Sequence, residues 1–132
     1  MDLVEFLRAR LARDEQIARD CSGLPWKTAT SGTVHTDPKA PGGPGDGPSA
    51  YVATAENGAY AEHIARHDPA RTLARVEAVR QILDDYEKHA WILGQGHRTP
   101  ELEAAQVVRE NVLRRLALPY ANHPAYRDDW RP

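Results

Sequence analysis

The chain is poor in cysteine, in long apolar segments and in net charge, and each shortage excludes a class of protein. Cys21 is the only cysteine among 132 residues, so neither an intrachain disulfide nor a zinc cluster of several thiolates can form within one chain. No segment approaches the roughly 18 consecutive apolar residues of a membrane-spanning helix. With 17 Lys and Arg against 19 Asp and Glu, the net charge of −2 argues against a protein built to bind nucleic acid or an anionic membrane.

The length and the composition set the size and the cellular setting that we expect. A chain of 132 residues is long enough for one core, so we expect a single domain over residues 1–132. Residues 1–6 lack the basic and then apolar layout of a signal peptide, which favours a cytoplasmic location. Eight of the fourteen residues at 37–50 are Pro or Gly, and this composition predicts a flexible loop.

Apolar periodicity and helix-end signals predict four helices and a small sheet. The first helix covers residues 2–21 and is capped by Asp2. Its apolar stripe consists of Leu3, Val4, Leu7, Leu11, Ile17, Ala18 and Cys21. β-Branched residues around Ser31 and Gly32 predict a hairpin, and a further short strand is expected at 51–54. Three more helices are expected at residues 58–67, 69–93 and 100–117, with Asp68 capping the third helix. We therefore expect a mainly helical α+β fold with about four helices and a two- or three-stranded antiparallel sheet between the first two.

The last helix and the tail that follows it carry many of the remaining apolar residues. On the helix these are Leu102, Ala105, Val108, Val112, Leu113 and Leu116. Three large aromatic residues, Tyr120, Tyr126 and Trp130, lie in the short tail, which we expect to pack back onto the helices. The arginines of this helix are interleaved with glutamates, so we expect neither a nucleic acid nor a membrane as partner.

Two histidines and one carboxylate are the strongest candidates for a functional site. His63 and His67 lie four residues apart on a predicted helix, a spacing that suits two ligands of one metal ion. Asp14 falls within the apolar stripe of the first helix, where an unpaired charge is costly, so it requires a partner. We therefore predict a site for a divalent metal (zinc, with manganese and iron as alternatives) in which Asp14 or Glu15 completes a two-histidine, one-carboxylate set. His123 is a further candidate ligand.

These residues also have interpretations that involve no metal. His63 and His67 can lie on a half-exposed helix face, where His67 interacts favourably with the C-terminal end of the helix dipole. Asp14 can pair with a buried arginine, for which Arg80 and Arg109 are candidates. The phosphate-binding, dinucleotide-binding and zinc-protease motifs are all missing, so we expect no nucleotide cofactor.

Four segments of the sequence, taken together, resemble one family. They are residues 2–15, residues 63–71 (His-Ile-Ala-Arg-His-Asp-Pro-Ala-Arg), residues 76–83 and residues 116–130. The family consists of small uncharacterised proteins from actinobacteria and their phages, defined only as a domain of unknown function. The resemblance implies a cytoplasmic setting and a phage or mobile-element origin, and it supplies no activity. It places recurring polar positions at Asp14, Glu15, His63, His67, Asp68, Glu77, Arg80 and His123.

Two classes of function follow from these observations. The first is a small cytoplasmic metal-binding protein, which would be hydrolytic if one coordination position stays open to water. The second is a non-enzymatic interaction module, such as a phage-type regulator, that binds a host protein or forms a homodimer through its long helices. The sequence leaves open whether the protein is an enzyme.

Overall fold

The computed structural model describes residues 1–21 and 23–132, which contain four α-helices and three β-strands. In chain order these are α1 (Leu3–Arg19), β1 (Trp26–Thr28), β2 (Thr33–Thr36), β3 (Tyr51–Thr54), α2 (Gly58–Arg66), α3 (Pro69–Gly94) and α4 (Pro100–Ala117). Short 3-10 helices follow at Leu118–Tyr120 and Asp128–Trp130. The predicted α+β class is confirmed, with a three-stranded antiparallel sheet between the first two helices of the chain. Within residues 1–21 and 23–132, none of the helices combines the length and the apolar character needed to cross a bilayer.

Side-chain caps determine where α1 and α3 begin. Asp2 accepts a hydrogen bond from the Glu5 N–H at 2.8 Å, and Glu5 accepts one from the Asp2 N–H at 2.9 Å, which together form a reciprocal capping box. At α3, Asp68 accepts a hydrogen bond from the Arg71 N–H at 2.9 Å. Both caps confirm the sequence prediction, because capping depends on residues adjacent in the chain.

The chain divides into two compact units. The first, called here the helical unit, comprises Met1–Arg13 and Val76–Pro132, and the second, called the sheet unit, comprises Asp14–Arg75. Both α1 and α3 therefore contribute residues to each unit. That all 132 residues form a single domain stays a prediction.

The helical unit is built around one apolar core. Its buried members are Leu3, Phe6, Leu7, Leu11, Val76, Val79, Leu83, Leu113, Ala117 and Trp130. The expected folding back of the aromatic tail is confirmed, since Tyr120 and Tyr126 pack against this core. The Phe6 ring lies at its aromatic centre, 5.1 Å from the Trp130 ring and 5.9 Å from the Tyr126 ring, measured between centroids. These ring contacts add specific packing to the burial of apolar area.

The sheet unit combines the three strands with α2, which packs against β1 and β2. The strand order is β1-β2-β3, and Trp26 is paired with Thr36 in the first ladder. The predicted hairpin turn is confirmed: Gly32 has a φ of 77°, a left-handed conformation that glycine adopts without strain. Residues 37–50 form consecutive turns between β2 and β3, and within them the Gly45 N–H donates to the Pro38 carbonyl at 2.8 Å.

Burial differs from the sequence prediction at the far end of α1. The helix ends at Arg19, so Cys21 lies beyond it and is exposed, not buried on the apolar stripe. Ile17, assigned to the same stripe, is half-exposed at 50%. Phe6, which the stripe omits, is fully buried because the C-terminal tail folds over it. Periodicity therefore identifies the helix, while the fold-back of the tail accounts for the burial of Phe6.

Candidate functional site

The sheet unit contains a cavity of about 190 Å³ that brings together some of the predicted site residues. Its lining consists of Asp14, Ile17, Ala18, Cys21, Trp26, His67, Pro69, Thr72 and Arg75. The end of α1, strand β1 and the beginning of α3 supply most of these residues. Asp14 and His67, two of the five predicted metal ligands, therefore line the same space.

Asp14 forms an ion pair with an arginine in this cavity. Arg75 Nη2 donates to Asp14 Oδ2 at 2.8 Å, and the two side chains are 48% and 25% exposed. Asp14 thus pairs with an arginine, as one alternative predicted, but this arginine is half-exposed and not buried, and it is not one of the two that the sequence suggested. A pair this accessible to solvent contributes about 1 kcal/mol or less to stability.

The two predicted histidine ligands are stacked on each other. The rings of His63 and His67 lie 4.3 Å apart between centroids with planes inclined by 31°. Metal ligation uses lone pairs in the ring plane, and the planes of stacked rings do not converge on one ion. His67 Nδ1 lies 2.7 Å from the His63 carbonyl oxygen, which can only accept, so Nδ1 carries the proton and Nε2 is left as the acceptor in the neutral ring.

The other two predicted ligands make contacts of a different kind. Glu15 accepts hydrogen bonds from Arg19 one turn later, at 2.8 to 2.9 Å. His123 belongs to the helical unit, where its ring packs edge-on against Phe6 with centroids 5.7 Å apart and its Nδ1 accepts from the Ala125 N–H. In residues 1–21 and 23–132, no three His, Cys, Asp or Glu side chains lie close enough together to hold a metal ion. Of the five predicted ligands, the described lining of the cavity therefore includes Asp14 and His67.

The helical unit has its own polar cavity, of about 350 Å³, next to Tyr86. Burial raises the pKa of the Tyr86 phenol, and the negative charge of Glu110 raises it further. The charged groups lining this cavity bind each other: Arg114 donates to Glu110 at 3.0 Å and to the Asp129 carbonyl at 2.6 Å. These contacts tie the C-terminal tail to α4, which is a structural role.

An exposed apolar surface on α4 is the second candidate site. At about 100° per residue, seven residues fall within roughly 60° of the direction of Val108. They are Glu101, Ala104, Ala105, Val108, Asn111, Val112 and Arg115, and we call this surface the valine face. Val108 is 63% exposed and Val112 is 38% exposed, while Leu113 and Ala117 on the other side of the helix are buried. The apolar residues of α4 therefore form one buried stripe and one exposed stripe.

The sequence contains a signal for this second stripe that the prediction did not use. An amphipathic helix needs one apolar stripe, and α4 has more apolar residues than one stripe can hold. The adjacent pair Val107 and Val108 is the clearest sign, since at about 100° per residue both side chains point well away from the direction of Leu113. Both are exposed, at 59% and 63%.

Comparison with known proteins identifies a family without assigning an activity. No curated protein and no solved structure matches the chain at a significant level. The model of DUF6221, a family of unknown function, matches residues 1–132. Because the match covers the whole sequence, the chain belongs to this family of unknown function.

Proposed function

We propose that this protein acts by binding another protein through the valine face of α4. The observation that carries the proposal is the exposure of Val108 and Val112 on a helix whose opposite side is packed into a core. Burial of apolar surface is worth about 25 cal/mol per Å², so a partner that covers these side chains gains free energy. Contiguous exposed apolar surfaces on folded proteins are commonly interaction sites.

The position of the valine face on α4 also favours binding. Thr99 caps the helix by accepting from the Leu102 N–H at 3.2 Å, and Leu113 and Ala117 hold its other side in the core. A partner would therefore meet a helix that is already ordered, and ordering would cost little of the binding free energy. We also propose, following what the resemblance implies, that the protein is a cytoplasmic, phage-type regulator that acts in an actinobacterial host.

In-cell photo-crosslinking tests the proposal. A benzophenone amino acid is placed at position 108 or at position 51, because Val108 and Tyr51 are equally exposed at 63% and lie in different units. We expect a covalent adduct of defined mass from position 108, identified by mass spectrometry, and none from position 51. The same pattern of adducts from both positions, or no adduct from position 108, would contradict the proposal.

A divalent metal site at the cavity of the sheet unit is a second candidate function. The observation that favours it is the state of His67, whose Nδ1–H is held by a backbone carbonyl, as is usual in metal-ligating histidines. Asp14 lines the same cavity and would have to exchange Arg75 for the ion. An ion held by two protein ligands retains positions for water, and a metal lowers the pKa of bound water, which is what a hydrolase requires.

Elemental analysis and zinc titration of tag-free protein test this second candidate. We expect about one equivalent of zinc, manganese or iron in the wild type. His67→Ala should lose the metal, and His97→Ala, which changes an exposed histidine outside the cavity, should retain it. Equal metal content in the two variants, or no metal in the wild type, would rule this function out.

A further inference from the structure

The residues of the valine face are placed symmetrically on either side of Val108 along the helix. Counting outward from Val108, Ala104 lies four residues before it and Val112 four residues after it. Glu101 lies seven residues before Val108, and Arg115 lies seven residues after it. If two α4 helices pair in antiparallel orientation about Val108, each glutamate at one end faces the other copy's arginine.

The charges of α4 divide according to this face. The helix has four charged residues outside the valine face, and each has an ion-pair partner in the helical unit. They are Glu103, Arg109, Glu110 and Arg114. Among the described residues, Glu101 and Arg115 form no ion pair, although Arg115 donates to the Asn111 carbonyl at 3.1 Å. The two charges left for an external partner are thus of opposite sign and stand at opposite ends of the valine face.

The orientation follows from these charges and from side-chain size. A parallel pair of helices would place Glu101 against Glu101 and Arg115 against Arg115, which is repulsive at both ends. The antiparallel pair makes two attractive contacts instead. It also places the small Ala104 opposite the larger Val112, so that the helices can approach to the 8–10 Å separation of packed helices.

We propose that the partner of the valine face is a second copy of this chain, bound antiparallel so that the two Val108 side chains meet on the twofold axis. This inference rests on the proposed protein-binding function and names its partner. Residues 100–117 make a helix about 27 Å long, and an interface of one helix per copy falls at the low end of known interfaces, below about 1,200 Å² in total. The dimer is therefore weak, and its population depends on protein concentration.

Charge reversal with rescue tests both the partner and the orientation. Sedimentation of the purified chain over a wide range of concentration should show a monomer–dimer equilibrium. By the twofold symmetry, Glu101→Arg or Arg115→Glu alone turns two attractive contacts into two repulsive ones, and each should weaken the dimer about tenfold or more. The double variant restores opposite charges, and its dimer should return to within about threefold of the wild type. Because both residues are exposed, circular dichroism should show the same fold in all variants.

The outcomes separate this inference from the proposed function. A chain that stays monomeric at every concentration, or a double variant that is no better than the single variants, overturns the second copy as partner. If position 108 then crosslinks to a different protein in cells, the protein-binding function stands with another partner. If position 108 crosslinks to nothing, both proposals fail.

Discussion

The helical unit and the sheet unit depend on different interactions. The helical unit buries large side chains, among them Phe6, Leu83 and Trp130, each worth about 1.5–3 kcal/mol when removed from water. The described part of the sheet unit buries mainly small residues, which are Ala18, Val34, Thr36, Pro38, Ala61 and Pro69. Apolar packing therefore contributes most to the stability of the helical unit, whereas caps, turns and backbone hydrogen bonds contribute a larger share of the stability of the sheet unit.

The same difference explains why an exposed apolar face occurs in the helical unit. Its core is complete with one side of α4, through Leu113 and Ala117, so Val108 and Val112 are not needed for folding. Apolar residues that a core does not use are costly in water unless another molecule covers them. The sheet unit also exposes single apolar side chains, among them Ile17, Tyr51 and Tyr60, and it offers a partner the cavity that Asp14 and His67 line.

The largest expected effect is the removal of the aromatic centre of the helical unit. Phe6→Ala should lower the free energy of unfolding by about 3–5 kcal/mol, because it leaves a cavity among Tyr126, Trp130 and their neighbours. Urea unfolding measures the change. Trp91→Ala removes an aromatic side chain that is 67% exposed in the same unit, and it should change stability by about 0.5 kcal/mol or less. Similar losses for the two variants would contradict the assignment of the core.

The next effect concerns the cap that joins two elements of the sheet unit. Asp68 accepts from the Arg71 N–H and, at 3.2 Å, from the Trp26 N–H, so it holds the start of α3 and the start of β1. Asp68→Ala should cost about 1–2 kcal/mol. Hydrogen exchange should show faster exchange at these two amides.

A conservative variant controls for the cap. Asp68→Asn keeps an oxygen acceptor, and it should retain most of the stability and protection of the wild type. If Asp68→Ala exchanges as slowly as the wild type at both amides, the sheet unit does not depend on this cap.

An effect of similar size is expected at the hairpin turn. Gly32 has a φ of 77°, and a Cβ there would lie 3.2 Å from the Ala55 carbonyl oxygen, so Gly32→Ala should cost about 1–2 kcal/mol. Gly58→Ala is the matched control, since a Cβ at Gly58 meets no atom within 4 Å. Thermal unfolding should therefore show a lower melting temperature for the first variant and no decrease for the second. Equal melting temperatures would show that the turn geometry is not a constraint.

The smallest effect is a dependence on alkaline pH in the helical unit. The folded-state pKa of Tyr86 is raised above its ordinary value of 10.0, chiefly by burial, so the folded protein holds this proton more tightly than the unfolded chain does. The resulting stability is fully present below pH 10.0 and is lost as the pH rises through the raised pKa. Tyr86→Phe removes this ionisation and should flatten the decline of stability in urea unfolding between about pH 9 and pH 11. Identical slopes of stability against pH for the variant and the wild type would contradict the raised pKa of Tyr86.

Local signals in the sequence predicted most of the fold. The caps at Asp2 and Asp68 and the turn at Gly32 each depend on a few neighbouring residues, so they can be read without knowledge of tertiary contacts. Helix bounds were close for the same reason, apart from the early end of α1 at Arg19. The burial of Phe6 could not be predicted, because it depends on the fold-back of residues distant in the chain.

The candidate site was less predictable because it depends on packing between elements. The spacing of His63 and His67 indicated a shared helix face, but α2 ends at Arg66, and the two rings stack instead of converging. The carboxylate of Asp14 required a partner, as predicted, but the relative placement of α1 and α3 selected Arg75. On α4, periodicity could not tell which of the two apolar stripes enters the core.

Disulfide formation at the valine face tests the central claim most directly. In a Cys21→Ser background, Val108→Cys would place two thiols on the twofold axis of the antiparallel pair. Val107→Cys is the control: it lies in the same helix, but its side chain points about 100° away from the direction of position 108. A disulfide requires Cβ atoms about 3.5–4.5 Å apart, so mild oxidation should convert the first variant to a covalent dimer much faster than the second. Equal rates for the two variants, or no covalent dimer from Val108→Cys, would contradict the pairing of two copies through this face.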